Sequence, residues 1–235
     1  MSERIVILTG AGISAESGVA TFRDNGGLWE EHRVEDVATP EAFDRDPHLV
    51  QRFYNARRAA LGTVAPNPAH AALARLQEGL RGGGGDAVVI TQNVDDLHER
   101  GGATDVVHMH GELRRALCAA CGFRWDAPLV MKVVDACPAC STAGATRPDI
   151  VWFGEMPYHI DRIEAELGRA TRFVSIGTSG AVYPAAGFIE VAQRRGIPTL
   201  EINLEPSQGS FLFDETRHGP AGTLVPDWVG SVLRQ

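Results

Sequence analysis

Ile5-Val6-Ile7-Leu8-Thr9-Gly10-Ala11-Gly12-Ile13-Ser14-Ala15 is the stretch on which the fold turns, because four apolar β-formers run straight into a glycine-rich corner. An unbroken apolar run of this length reads as a strand buried on both faces, as in parallel sheets. Four more segments repeat the pattern. Ala87-Ile90 leads to Thr91-Gln92-Asn93, Val106-Met109 to His110-Gly111, Phe173-Ile176 to Gly177-Thr178-Ser179, and Thr199-Ile202 to Asn203 and Glu205. Open parallel sheets bind ligands outside the carboxyl ends of their strands, so five small or polar clusters at five such ends describe one crevice. Helical stretches at Pro68-Gly79 and Tyr183-Arg195 supply crossovers. The expected fold is α/β, a Rossmann-like doubly wound parallel sheet.

Two insertions interrupt that pattern, a helical one over 31–80 and a cysteine-bearing one over 112–149, and together they are expected to form a smaller domain. The sheet domain is then 1–30, 81–111 and 150–235. All four cysteines fall in the second insertion, as Cys118-x-x-Cys121 and Cys137-x-x-Cys140 with fifteen residues between the pairs. That is zinc-ribbon spacing, in which two-residue gaps let each pair of sulfurs converge on one ion. Four thiolates fill a tetrahedral sphere and leave no position for an activated water, so the expected zinc is structural. The run Gly82-Gly83-Gly84-Gly85 reads as a flexible connector.

Composition narrows the function classes. The chain has 235 residues, 44% hydrophobic and 22% charged, with a net charge of -8. That balance argues against general nucleic-acid binding, which needs clustered Lys and Arg. An acidic surface suits lysine-rich protein substrates, although solubility alone explains it as well. No apolar run reaches the roughly 18 to 20 residues that span a bilayer. The first strand begins too early for a signal peptide to precede it, so a cytoplasmic location is expected.

Gly10-Ala11-Gly12-Ile13-Ser14-Ala15 is a G-x-G-x-x-A form of the dinucleotide corner, whose glycines let backbone N–H groups approach a pyrophosphate. Beyond Ala15 the chain departs from a dehydrogenase. A ribose-binding acid should come after a second strand, about twenty residues on. Here Glu16-Ser17-Gly18 and Thr21-Phe22-Arg23-Asp24 occupy that stretch instead, leaving Glu205 with Asn203 as the replacement.

Taken together, Gly10-Ala-Gly-Ile-Ser-Ala-Glu-Ser-Gly18, Thr21-Phe-Arg23, Thr91-Gln-Asn-Val-Asp95, His110-Gly111, both C-x-x-C pairs, Phe153-Gly-Glu155, Gly177-Thr-Ser179 and Asn203-Leu-Glu205 resemble the sirtuins, in order and over nearly the whole chain. The resemblance implies an NAD-dependent protein-lysine deacylase with a Rossmann domain and a small zinc domain. It implies that Gly10, Ala11, Gly12, Gly177, Thr178 and Ser179 hold the phosphates. Asn203 and Glu205 take the adenosine side and Ala221 the adenine edge. Phe22 and Arg23 cover the nicotinamide ribose. Gln92, Asn93 and Asp95 complete the cofactor set, with Asn93 and Asp95 placing the ribose and carboxamide. The implied reaction attaches the acyl oxygen to the ribose as nicotinamide leaves, then releases free lysine and O-acyl-ADP-ribose. His110, aided by Asn93, is the implied base for a ribose hydroxyl, since a neutral imidazole can accept a proton near neutral pH. His108 is an internal rival, two residues earlier in the same strand, and the family pattern selects the histidine before the glycine.

Val151, Phe153, Gly154 and Glu155 resemble the family's substrate strand, where a peptide carrying an acylated lysine adds by backbone pairing. Tyr54 and Arg57, three apart on one helical face, resemble the pair by which a sirtuin subset reads acidic acyl groups, and the small Ala38 fits that subset's wider pocket. Succinyl and malonyl removal with weaker deacetylation is therefore expected. A helix arginine can equally pair with a surface carboxylate, as is expected of neighbouring Arg58. Mainly acetyl removal, ADP-ribosyl transfer from the same site, a dehydrogenase, and a sensing module without turnover stay open as alternatives.

Overall fold

The computed structural model describes residues 2–20 and 32–234, together with the backbone of 28–29. The strands are β1 (Arg4–Thr9), β2 (Leu28–Trp29), β3 (His32–Arg33), β4 (Asp86–Thr91), β5 (Val106–His108), β6 (Gly111–Cys118), β7 (Arg124–Asp126), β8 (Thr146–Ile150), β9 (Arg172–Ile176), β10 (Thr199–Asn203) and β11 (Glu215–His218). The helices are α1 (Val34–Val37), α2 (Pro40–Arg45), α3 (Pro47–Ala60), α4 (Pro68–Gly82), α5 (Leu97–Arg100), α6 (Ile160–Arg169), α7 (Phe188–Arg194) and α8 (Ala221–Val232).

Six strands form one parallel sheet in the order β11-β10-β9-β1-β4-β5. The chain builds outward from β1 through β4 to β5, then returns to the far side of β1 with β9. The strand order therefore reverses between β1 and β9, and that is where a doubly wound sheet opens a crevice. All five anticipated strands are present. The sixth, β11, escaped the sequence reading because Glu215-Thr-Arg-His218 is a polar edge strand with no apolar run to announce it.

Period-two side-chain alternation assigns β1 to two cores at once. Ile5 and Ile7 pack with α4 and α8, while Val6 and Leu8 pack with α6 and α7. Each such side chain, fully buried, contributes roughly 1.5–3 kcal/mol. Helix α4 lies in this sheet layer against α8, so the anticipated helical insertion of 31–80 divides: only its portion up to α3 packs away from the sheet. Leu73 and Leu76 reach the main core because α4 is a crossover helix. Asn67 caps that helix, its Oδ1 accepting from the Ala69 amide at 2.9 Å. The glycine run is no loose connector. Gly84 N–H donates to Arg81 O at 3.1 Å and Gly85 N–H to Leu80 O at 2.8 Å, which closes α4 with a defined C-terminal cap. The expected helix at Tyr183-Arg195 is shorter than anticipated, a turn of 3-10 helix at Ala185–Gly187 followed by α7.

Beside the sheet, β7-β6-β8 form a small antiparallel sheet, and α3 packs on β6 and β8. Among the described residues no helix is long and apolar enough to cross a membrane.

Candidate active site

A cleft of about 830 Å³ opens at the carboxyl ends of β1, β4, β9 and β10, within the size range of sites that enclose a small-molecule ligand. One corner of it is made by two loops crossing at backbone contact. Gly12 N–H donates to Gly177 O at 2.8 Å, and Gly10 N–H donates to Ile176 O at 3.0 Å. A Cβ on Gly10 would lie 2.8 Å from Gly177 O, and one on Gly12 would lie 2.7 Å from Gly177 Cα. These glycines are thus required by the loop crossing, a constraint separate from the expected approach to a pyrophosphate.

Gly10, Ala11, Gly12, Gln92, Asn93, Asp95, His110, Gly177, Thr178, Ser179, Asn203, Glu205 and Ala221 all line the cleft. Phe22 and Arg23 lie outside the described residues. Asn203 works through the backbone around it: its Nδ2 donates to Thr178 O at 2.7 Å and its Oδ1 accepts from Leu204 N–H at 3.1 Å, which joins the loops after β9 and β10. Glu205 stands exposed beside it. Glu16, from the Gly10–Gly18 motif, accepts from the Gly222 amide at 2.8 Å and places a carboxylate at the N-terminus of α8 next to Ala221.

His110 sits in the turn after β5, not in the strand. Its Nδ1 faces Gln92 O at 3.1 Å. A carbonyl only accepts, so Nδ1 carries the proton and Nε2 keeps its lone pair. Burial holds the imidazole's pKa below its usual value, partly opposed by the Gln92 carbonyl. The ring is therefore neutral at neutral pH, as a base requires. The glycine after it is dictated by space: Gly111 has φ +80°, and a Cβ there would lie 2.0 Å from Asp149 O.

Beneath the cleft lies a buried polar layer that sequence reasoning missed. The Asn67 amide donates to His70 Nδ1 at 3.2 Å, which leaves the His70 proton on Nε2, 3.4 Å from Ser14 Oγ. Ser14 also accepts from Asn93 Nδ2 at 3.2 Å and donates to Asp95 Oδ2 at 3.1 Å. Asn93 Nδ2 lies 3.2 Å from Gly10 O as well. Burial lowers His70 to about 4 and His98 far below the ordinary value, so both are neutral supports. Burial raises the Asp95 carboxyl, opposed by its bonds to the Leu97 amide and Ser14. A serine inside the glycine-rich motif and a histidine on the apolar stripe of α4 were the available signals.

At the other end of the cleft, Ala38, Tyr54, Arg57, Val151, Phe153, Gly154 and Glu155 form the wall. The expected strand at 151–155 is a tight turn instead, closed by Glu155 N–H to Trp152 O at 3.0 Å. Glu155 is held by Arg147 at 2.6 and 2.9 Å and accepts from the Trp152 amide at 2.8 Å, so its carboxylate builds the turn. Arg147 lies 3.4 Å over the Trp152 ring, and Trp152 Nε1 donates to Tyr54 Oη at 3.0 Å. Burial raises the Tyr54 pKa and keeps the phenol neutral.

Helix α3 presents two neighbouring rows. Val50, Tyr54 and Arg57 follow one, continued by Leu61 just past the helix end, and Tyr54, Arg57 and Leu61 reach the cleft. Gln51, Asn55 and Arg58 follow the other and dock on the cysteine module: Gln51 to Thr146 O, Asn55 to both backbone groups of Met131, and Arg58 Nε to Leu113 O at 2.7 Å. Arg58 is 2% exposed and also reaches Leu129 O, so the expected surface ion pair is replaced by buried carbonyl contacts. Burial lowers its pKa to about 10.

The four cysteines converge. Their sulfurs all lie within 4.8 Å of one another, with Cys118 to Cys140 at 3.7 Å and Cys121 to Cys137 at 3.8 Å. Zn–S bonds of about 2.3 Å give tetrahedral edges of roughly 3.8 Å, so the arrangement fits one structural zinc and excludes disulfides.

A model of the Sir2 family matches residues 10–184. The NAD-dependent protein deacylase SIR2rp3 of Leishmania major is 56% identical over 235 residues, covering 98% of this chain and 96% of its own. An NAD-dependent protein deacylase of Caulobacter vibrioides is 52% identical, with 98% and 97% covered. Among solved structures, a Sir2 homolog–NAD complex superimposes with a TM-score of 0.88 at 38% identity, over 99% of this chain and 90% of that one. The chain therefore belongs to the Sir2 family and is an NAD-dependent protein deacylase.

Proposed function

We propose that this deacylase prefers lysines carrying acidic acyl groups, succinyl and malonyl, over acetyl-lysine. The observation that carries the reading is the co-location of Tyr54, Arg57 and Ala38 in the wall of the cleft that holds His110. NAD supplies the ribose carbon that takes the acyl oxygen as nicotinamide leaves. His110 Nε2, the unprotonated nitrogen, accepts the proton of a ribose hydroxyl, and its Nδ1 bond to Gln92 O fixes the ring for that transfer. Asn93 and Asp95, steadied through Ser14, orient the nicotinamide ribose and carboxamide. The crossing glycine loops, with Ala11, Thr178 and Ser179, receive the phosphates, and Asn203, Glu205 and Ala221 border the adenosine. The Val151 and Phe153 amides are bonded to His110 O and Ala38 O, so pairing with the substrate peptide falls to the carbonyls of this turn and to Gly154.

A carboxylate at the end of the acyl chain meets the Arg57 guanidinium and the Tyr54 hydroxyl, which Trp152 holds in place. A charge-assisted contact of this kind is worth roughly 1.5–3 kcal/mol, or about 10- to 150-fold in preference. The test compares kcat/KM for succinyl- and acetyl-lysine peptides in the wild type and Arg57→Met. Selectivity collapsing toward acetyl supports the reading, and an unchanged ratio rejects it.

A further inference from the structure

His108 and His110 stand two residues apart, and only His110 reaches the cleft. Both hold the same loop by its backbone. His110 Nδ1 takes Gln92 O at 3.1 Å, His108 Nδ1 takes Asn93 O at 3.3 Å, and the Leu113 amide takes Val94 O at 2.8 Å. Three successive carbonyls of the cofactor loop are thus each held by a separate donor. Asn93 is the middle one, and its side chain is the one directed at Gly10 O and Ser14 Oγ.

The two rings differ at their second nitrogen. His108 Nε2 lies 2.8 Å from Glu99 Oε1 on α5. A carbonyl and a carboxylate are both acceptors, so each nitrogen of His108 must carry a proton. We propose that His108 is a positioning residue for the deacylation reaction: an imidazolium braced between Glu99 and the Asn93 carbonyl, which fixes the 92–95 loop and with it the side chains of Asn93 and Asp95 toward NAD.

The surroundings agree with that charge. Glu99 and Glu112 both favour the protonated ring against the burial that opposes it, and the net direction is upward from the ordinary histidine value. The other titratable groups facing it are Asp95, whose carboxylate the cation favours, and His98, which stays neutral partly because the cation lies beside it. One strand end therefore holds a charged histidine for position and a neutral one for proton transfer.

The experiment uses the full-length zinc-loaded protein with saturating acyl-peptide and reads kcat/KM for NAD across pH. In His108→Asn the side-chain amide nitrogen takes the approximate place of Nδ1 and keeps the donor to Asn93 O. In His108→Gln the amide reaches toward Glu99 and leaves that carbonyl without one. The expected result is that the Asn variant stays within about 3-fold of wild type, while Gln and His108→Ala lose 10-fold or more, because small displacements of reacting groups are this costly. Glu99→Gln removes the carboxylate that favours the protonated ring, so His108 gives up its second proton at lower pH and the alkaline limb that this loss produces moves with it. Zinc content and circular dichroism separate misfolding from misplacement. An Asn variant as impaired as Ala, or an alkaline limb unmoved in Glu99→Gln, overturns the proposal.

Discussion

In β1, Ile5, Val6, Ile7 and Leu8 are at most 4% exposed, whereas in the cysteine module Phe123, Leu129, Val130 and Val134 stand 43 to 72% exposed. Both regions carry large apolar side chains and differ in what is available to cover them. The parallel sheet is sandwiched by helices on both faces, so each strand residue finds a partner above or below. The module has α3 on one side only, and its own strands are too few to hide a second layer. Its cohesion must come from the ion that four converging thiolates can hold, and from polar contacts with α3. The sheet is thus expected to stand without metal, and the module to depend on it.

The largest test of that contrast is metal removal. Structural zinc contributes on the order of 10 kcal/mol in comparable small modules. Hydrogen exchange after chelation should show amides of 118–146 losing protection while those of β1, β4 and β9 keep theirs. Equal protection in both regions would break the comparison.

Next in size is a cavity in the sheet. Ile7→Ala should cost about 2–5 kcal/mol by chemical denaturation, whereas Val134→Ala in the module should stay within about 0.5 kcal/mol.

The third test concerns the polar layer inside the sheet half. His70 is buried neutral with a folded-state pKa of about 4, below its ordinary 6.5. Its contribution is fully present above pH 6.5 and is lost as pH falls through about 4, because the unfolded chain takes up the proton first. The loss amounts to about 3 kcal/mol, and His70→Gln should flatten that part of the stability-against-pH curve. The smallest effect is on the module surface. Arg115 pairs with Asp126, which is 92% exposed, and Arg115→Ala should leave the denaturation midpoint unchanged within error.

The same contrast explains what the sequence made legible. Apolar strands ending in polar corners announced the sheet because burial on both faces imposes a residue type at every position. The cysteines announced their site because coordination geometry imposes spacing. What stayed hidden depends on contacts between distant segments. The polar strand β11 carries no apolar signal, and the His70–Ser14–Asp95 layer joins residues from three loops and helices. Glu155 stands in the motif that resembles the substrate strand, and only the fold reveals Arg147 as its partner. Arg58 looked like a surface cation because no local feature shows that Leu113 and Leu129 turn their carbonyls toward it.

The two rows of α3 carry one further consequence. Successive residues on a helix are separated by about 100° of rotation. Gln51, Asn55 and Arg58 engage the zinc module through backbone groups, so they fix the angle at which Tyr54 and Arg57 enter the cleft. On the acyl preference proposed above, a change of preference is expected to come from exchanging individual side chains at fixed stations. Re-aiming the helix itself would also disturb its bonds to Thr146, Met131 and Leu113, since the cysteine module and the pocket are geared to the same shaft.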